Sequence, residues 1–365
     1  MRVDSLKLTE FRNYSRLEIT PDAGFCVLTG RNGAGKTNVL EAIFLCSFGR
    51  SQRTPRDAEL ISYDSPEGSV ILDATTRQGK RNVRMSLYAK ERKRVILDGV
   101  PLTRSGELMG CLNVVMFSPE DLSLVKDGPA ERRRFLNMEL SGQSPAYYYK
   151  LQQYNNALKQ RNTLLKDGDN LDYDMLESWD EQLAGLGAAI TLARTQFVGE
   201  IADAACRRHR QMSDGMDELV VSYQPNLPPT APDELAGVMM DRLSSNLERD
   251  IFRGTTSVGP HRDDILLTLN GVDARIYGSQ GQQRTVALAL KLSVIELIRR
   301  LRGENPVLLL DDVFSELDAV RQARLIASIE GCQAFITCTH LEELTRAGAD
   351  SMQIFNVSNG TIVEV

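Results

Sequence analysis

The sequence has little that would staple, anchor or coat. Six scattered cysteines, Cys26, Cys46, Cys111, Cys206, Cys332 and Cys338, form no C-x-x-C pair. That argues against a disulfide framework or structural zinc and favours a reducing cytosol. The three histidines, His209, His261 and His340, are too dispersed for a metal cluster. No apolar run approaches the roughly 20 residues of a membrane helix, and Asp4, so close to Met1, breaks any signal-peptide pattern. A cytoplasmic protein is expected. Excess positive charge is also missing: 43 basic against 49 acidic residues give a net charge of −6. A bulk polycation that coats nucleic acid or anionic membrane is thereby excluded, and any polyanion must meet a local basic patch. No repeat or low-complexity tract is visible.

What is present is an ordinary globular composition, 42% hydrophobic and 25% charged over 365 residues. That length suggests two lobes, or one large domain with an insertion. The first ~120 residues read as strands, turns and one helix: a short strand from Val3, a buried one over Gly24 to Thr29, a helix over Asn38 to Leu45, then hairpin runs. One of these turns at Asp98-Gly99. From Tyr147 to Leu165 and from Leu176 to Ile201 the apolar residues recur at helical spacing, which predicts an antiparallel helical hairpin. Pro225, Pro228, Pro229 and Pro232 then mark a loop and a nick or linker site. From 255 the strand pattern returns, with apolar strands at Val307 to Leu310 and Phe335 to Thr337 and a closing hairpin at Asn359-Gly360. The expected division is a split α/β lobe, 1–120 with 255–365, carrying a helical insertion over 121–254.

Between the second strand and the first helix stands Gly30-Arg31-Asn32-Gly33-Ala34-Gly35-Lys36-Thr37, a match to G-x-x-x-x-G-K-[ST]. Its glycines let successive backbone N–H groups turn inward on phosphate oxygens, and the helix N-terminus that follows favours an anion. Lys36 reaches the β- and γ-phosphates and the Thr37 hydroxyl ligates Mg²⁺. The strand and helix on either side are the context that distinguishes a nucleoside-triphosphate loop from an ordinary glycine turn.

Val307 to Leu310 runs into Asp311-Asp312. A carboxylate there lies at the C-terminal edge of a parallel sheet, where ligands bind. Asp311 can hold Mg²⁺ through its water shell, and Asp312 can accept a proton from attacking water. Acids after a strand can also merely cap the following turn, a reading that the glycine loop earlier in the chain weighs against. Ser279-Gln280-Gly281-Gln282 opens the helix ahead of Val286; its small and amide residues can offer N–H groups to a phosphate or act only as a cap.

Taken in order, the glycine loop, the SQGQ segment, the LLLDD strand, Ser315 to Asp318 and Thr339-His340 resemble the ABC-type ATPase heads of the SMC-like group. Phe11-Arg12-Asn13-Tyr14, Gly49-Arg50-Ser51, Phe117 to Leu122, Pro129 with Arg132 to Leu136, Gly259 to Asp264 and Gly278 to Arg284 extend the resemblance over nearly the whole chain to the bacterial RecF recombination-mediator family. The implied fold is α/β, a P-loop ATPase head with mixed sheets, central helices and an inserted helical lobe. The resemblance implies two ATPs sandwiched between two heads, each held by one P-loop and by the signature residues Ser279 and Gln282 of the other copy. It sets Arg12 beside the nucleotide, His340 as a switch near the γ-phosphate, Asp318 in the loop crossing the interface, and Asp312 and Lys36 as hydrolytic residues. Two departures stand out: SQGQ replaces a transporter-like LSGGQ, and Asp312 stands where most such ATPases have Glu, so slow hydrolysis is expected. The implied role is DNA repair, replication restart and SOS response, with recombinase loading at gapped or junction DNA beside RecR and RecO.

For DNA, the basic candidates are Arg50 and Arg53 after the P-loop helix, and Lys80, Arg81, Arg92, Lys93 and Arg94 across two predicted strands. Such groups neutralise phosphate without reading sequence, and can also be a solvated face. The run Arg132 to Arg134 is expected to pin the insert or meet a partner. The alternative readings are an SMC-like structural head that tethers DNA, which needs long heptad arms; a transporter ATPase; and a DNA-cleaving head.

Overall fold

The computed structural model describes residues 1–22, 24–349, 351–358 and 360–365. In chain order it opens with β1 (Arg2–Phe11), β2 (Tyr14–Ile19), β3 (Phe25–Thr29), α1 (Lys36–Phe48), β4 (Glu67–Thr76), β5 (Gly79–Tyr88), β6 (Arg94–Leu97), β7 (Val100–Pro101) and β8 (Val114–Phe117). Helices α2 (Ser123–Lys126), α3 (Pro129–Gln143), α4 (Pro145–Leu165) and α5 (Tyr173–Met212) follow. Next come β9 (Leu219–Gln224), α6 (Leu235–Ser245), α7 (Leu247–Arg253), β10 (Asp264–Leu269), β11 (Val272–Asp273) and α8 (Ala274–Tyr277). The chain closes with α9 (Gln280–Arg302), β12 (Val307–Asp311), α10 (Ala319–Ser328), β13 (Ala334–Cys338), α11 (Leu341–Arg346), β14 (Met352–Ser358) and β15 (Thr361–Glu364). Among the described residues no helix is long and apolar enough to cross a membrane.

Two compact units result, Met1–Asp121 with Leu288–Val365, and Leu122–Ala287. The first holds two six-stranded sheets. One is antiparallel, in the order β2-β1-β4-β5-β6-β7. Its registers set Leu8, Val70, Met85 and Val95 side by side across four strands, and all four are buried. Alternation along each strand gives the sheet this single apolar face. The other sheet has the order β15-β14-β3-β13-β12-β8, parallel from β14 to β8. Its central strands are apolar without alternation and buried except at the ends of β3 and the last residue of β12, as a sheet covered on both faces requires. Helix α1 touches β4 and β5 of the first sheet and β8, β12 and β13 of the second, and it is apolar on nearly every side.

The second unit is built on α4 and α5, the expected hairpin, with α3 packed beside them. Ser144 caps α4 by accepting from the Tyr147 N–H, and Asp172 caps α5 through the Met175 N–H. Three sequence expectations change here. The return to the first unit comes at 288 rather than 255, because β10 pairs with β9 over six residues and so ties 264–273 to the helices. This unit is therefore helices plus a three-stranded sheet, β11-β10-β9, in which β10 and β11 come from the stretch expected in the other lobe and β9 from the stretch expected to be helical. The proline loop is no loose linker: Leu227 is buried, the Asn226 N–H donates to Asp263 Oδ1 at 2.7 Å, and Asn226 Oδ1 accepts from the Gly259 N–H at 3.0 Å. Asn359, one half of the predicted final turn, lies outside the described residues, while β14 and β15 pair antiparallel on either side of it.

Candidate functional site

The parallel registers align the site. Asp311 at the end of β12 is opposite Thr337 of β13, and Thr337 is opposite Leu28 of β3, one residue before Thr29 and the glycine loop. The C-terminal edge of three adjacent strands thus carries the loop, the two aspartates and the approach to His340, the crevice where open α/β sheets bind ligands.

The sequence at the loop's entrance is constrained by packing. A Cβ on Gly30 would meet the Val357 carbonyl of β14 at 2.2 Å, and φ there is +149°. Only glycine fits. Ala34, Gly35 and Lys36 are buried, while Arg31, Asn32 and Gly33 are exposed. Lys36 Nζ donates to the carbonyls of Gly30 at 2.5 Å and Arg31 at 3.1 Å, which curls the loop around the ammonium group.

Thr37 and Asp311, far apart in sequence, meet here. Thr37 Oγ1 donates to Asp311 Oδ1 at 2.9 Å, and Thr337 Oγ1 donates to the same oxygen at 2.8 Å. Thr337 also accepts from the Asp312 N–H at 2.9 Å. It is a candidate site residue that sequence reasoning missed, since it looks like one more β-branched residue in a buried strand. A hydroxyl and a carboxylate at the mouth of an amide-lined loop form an oxygen donor set that fits Mg²⁺, and the loop fits an anionic phosphate. Asp312 has φ of +50° with its backbone held by Thr337 on one side and by Ser315 Oγ on its carbonyl at 2.9 Å, so an exposed carboxylate is presented from a fixed backbone. His340 is exposed at the start of α11 and its ring makes no capping bond. Burial beside this edge pushes the Cys338 thiol up to about 11, with Lys36 pulling the other way.

Arg12 is engaged by the protein itself. Its Nε and Nη2 make a two-pronged pair with the buried carboxylate of Glu41 at 2.9 and 2.7 Å, and Nη1 donates to the Glu59 carbonyl at 2.7 Å. Its neighbours Asn13 and Tyr14 touch the glycine loop directly. Ser279 and Gln282 lie in the second unit, where Ser279 Oγ accepts from the Gln282 N–H at 3.3 Å and Gln282 Oε1 accepts from the Ser279 N–H at 2.9 Å. Gln282 Nε2 also donates to Asp217 at 3.1 Å. Asp318 caps α10 and pairs with Arg321.

The basic candidates do not form one patch. Arg81 and Lys93 are bound to Asp98 at 2.7 Å and Asp57 at 2.8 Å. Arg94 is paired with Glu91 at 3.4 Å and lies over the Tyr88 ring. Arg94 pairs with Ser86 in the sheet, five residues along β5 from Arg81, so the two halves of the cluster are about 17 Å apart. Arg53 turns back to Asn38 Oδ1 at 3.1 Å and Glu41 at 3.6 Å. Lys80, Arg92 and Arg50 are exposed. Arg132 binds Asp264 of β10 at 2.6 Å and Arg133 binds the Asp263 carbonyl, so that run fastens α3 inside the second unit.

The RecF/RecN/SMC N terminal domain family matches residues 2–363. Proteins named DNA replication and repair protein RecF are similar over the full chain: 39% identical in Clostridium acetobutylicum, covering 100% of both chains, and 43% in Lachnoclostridium phytofermentans, covering 99% of both. A solved structure of the recombination mediator protein RecF with ATP superposes with a TM-score of 0.91 at 32% identity, covering 100% of this chain and 97% of that one. An SMC head bound to the C-winged helix domain of ScpA, 16% identical with a TM-score of 0.60, covers 100% of this chain and 98% of that one and shares the fold alone. The fold is therefore that of an SMC-type ABC ATPase head, and the chain belongs to the RecF family.

Proposed function

We propose that this protein is an ATP-switched DNA-binding protein of recombinational repair. The observation that carries the reading is the meeting of Thr37 and Thr337 on one oxygen of Asp311 at the mouth of the glycine loop. In this reading Gly30 to Thr37 bind the triphosphate, and Thr37 and Asp311 hold the magnesium ion. That ion supplies positive charge against the phosphate oxygens. Lys36 leaves its own loop carbonyls for the β- and γ-phosphates. Asp312 orients water from its fixed backbone and takes its proton, and its short side chain makes hydrolysis slow. His340 senses the γ-phosphate.

Ser279 and Gln282 act on the nucleotide of a second copy, which makes ATP the driver of dimerisation and hydrolysis the reset. DNA is gripped by its backbone through Arg50, Arg53, Lys80, Arg81, Arg92, Lys93 and Arg94. Since several of these are already ion-paired, a continuous surface needs two copies. The dimer would mark gapped or junction DNA in the cytoplasm and promote recombinase loading with RecR and RecO; the solved RecF structures are described as part of a RecFOR pathway. A structural tether is less well supported, because α5, about 60 Å long, packs on α4, α6 and β9 rather than extending as a heptad arm.

Light-scattering mass with Mg²⁺-ATP, with and without gapped duplex, tests the switch. Wild type is expected to double in mass and Ser279→Arg to stay monomeric. Wild type that stays monomeric with both ligands would overturn the switch.

A further inference from the structure

Two consecutive carbonyls of the glycine loop are held from outside by two consecutive side chains of the β1–β2 turn. Asn13 Nδ2 donates to the Ala34 carbonyl at 2.8 Å, and the Tyr14 hydroxyl donates to the Gly35 carbonyl at 3.0 Å. A trans peptide is planar, with its C=O and the following N–H pointing in opposite directions, and no peptide described is cis. Drawing these two carbonyls toward the turn therefore turns the N–H groups of Gly35 and Lys36 away from it, toward the side where the loop would receive a phosphate.

The turn is built to make those bonds. Asn13 Oδ1 accepts from Asn38 Nδ2 at 2.8 Å, which decides that its NH₂ end faces the loop, and Asn38 Oδ1 in turn accepts from Arg53 Nη1 at 3.1 Å. The Asn13 amide lies so close over Gly35 that a Cβ there would meet Nδ2 at 2.5 Å, with φ at +116°. Glu10 and Arg12, at φ of +47° and +54°, both adopt left-handed backbone that is costly for long side chains. Both are held in place from outside the turn. The Arg12 N–H donates to Leu60 O at 2.8 Å, its guanidinium grips Glu41, and Gly68 packs against the Glu10 carbonyl so closely that a Cβ would be 2.4 Å away.

We infer that Asn13 and Tyr14 are positioning residues that aim the amides of Gly35 and Lys36 at the nucleotide's phosphates. The inference rests on the ATP assignment proposed above. These amides would grip the phosphates alike in the ground and transition states, so losing the aim weakens binding and leaves the chemical step alone. Asn13 is exposed, and Tyr14→Phe keeps the buried ring, so the folded state survives both changes.

The test is titration of a fluorescent ATP analogue with Mg²⁺, together with steady-state hydrolysis and nucleotide-free melting, on wild type, Asn13→Ala, Asn13→Asp and Tyr14→Phe. Each single variant is expected to bind about five- to tenfold more weakly, the effect of one ordinary hydrogen bond. KM should rise by the same factor while kcat stays within about twofold. Asn13→Asp keeps the acceptor for Asn38 but loses the donor to Ala34, and is expected to be no better than Asn13→Ala. Wild-type binding with unchanged variants overturns the inference alone, as does weaker binding that appears only with a matching fall in melting temperature. Wild type that fails to bind the analogue overturns the ATP assignment and the inference with it.

Discussion

The two units use the same chemistry, arginine against carboxylate, for opposite ends. In the first, Arg12 holds the buried Glu41 of α1 from the hairpin that touches the glycine loop, while Thr37 and Thr337 meet on Asp311 at the open edge of a sheet, with Asp312 and His340 exposed beside them. In the second, the polar groups are sealed inside. Arg161, fully buried, binds Asp180 at 2.5 Å and Asp250 at 2.8 Å and reaches Thr256 at 3.0 Å. Arg194 binds Asp263 at 3.2 Å and the Pro260 carbonyl at 2.6 Å, and Tyr223 donates to the same Asp263. Burial pushes the carboxyls of Asp180 and Asp263 above the usual carboxylate range, against the hydrogen bonds that pull them down. Charge left at an edge can act on a ligand, whereas charge sealed among its partners fixes how α4, α5 and the Gly259 to Asp264 loop meet. Arg161 Nη2 is buried with no hydrogen-bond partner, so this network holds by its ion pairs rather than by full satisfaction; buried ion pairs specify an arrangement, and removing one member leaves another ion unpaired.

If the contrast is real, mutations should separate fold from function. The largest effect belongs to Arg161→Ala, expected to cost about 3–5 kcal/mol by stranding Asp180 and Asp250. Urea unfolding reads it directly, and a loss below about 1 kcal/mol would mean that the buried network is not what holds the helices. Lys36→Met is expected to do the reverse: affinity for Mg²⁺-ATP falls about ten- to a hundredfold through lost charged hydrogen bonds, while nucleotide-free unfolding is nearly unchanged. An equal loss of stability would show that the edge is structural too.

A smaller effect sharpens the contrast through pH. His261 uses both ring nitrogens in its neutral form, taking the Tyr154 hydroxyl on Nδ1 at 2.7 Å and meeting the Thr256 carbonyl through Nε2 at 3.0 Å. Burial lowers its pKa from 6.5 to about 4, with Arg262 and Arg133 also opposing the charge and Asp250 favouring it. The unfolded chain therefore takes up a proton, as pH falls below about 6.5, that the folded chain refuses, so stability is lost toward acid. Between pH 7 and pH 5 wild type should lose on the order of 2 kcal/mol more than His261→Gln. Asp180 and Asp263 carry the opposite sign and are common to both proteins, so the difference isolates the histidine. Parallel curves for the two would remove it from the buried network.

The chain's legibility followed distance in sequence. Residues 30–37 and the strand running into Asp311-Asp312 were readable because loop chemistry and apolar runs are local. The division at 288 was not, since the pairing of β9 with β10 that moves 264–273 joins residues about forty positions apart and leaves no local signature. Lys80 to Arg94 looked like one basic cluster because one-dimensional spacing hides which cations have an acid opposite them. Asn13 and Tyr14 stood in plain view as members of a family marker, but nothing in the four letters says which carbonyl each one holds.

The sequence alone determined that there is a phosphate-type loop on a strand-to-helix turn, that acids follow an apolar strand, and that the middle of the chain is helical. Those properties depend on side-chain size, backbone freedom and periodicity over a few residues. Tertiary structure alone decided that Thr337 shares Asp311 with Thr37, that Arg12 faces Glu41, and that Asn13 and Tyr14 point the loop's amides. Hydrogen bonds are set to within fractions of an ångström by strand register and helix packing, and residues hundreds of positions apart come into register only when the sheet has formed.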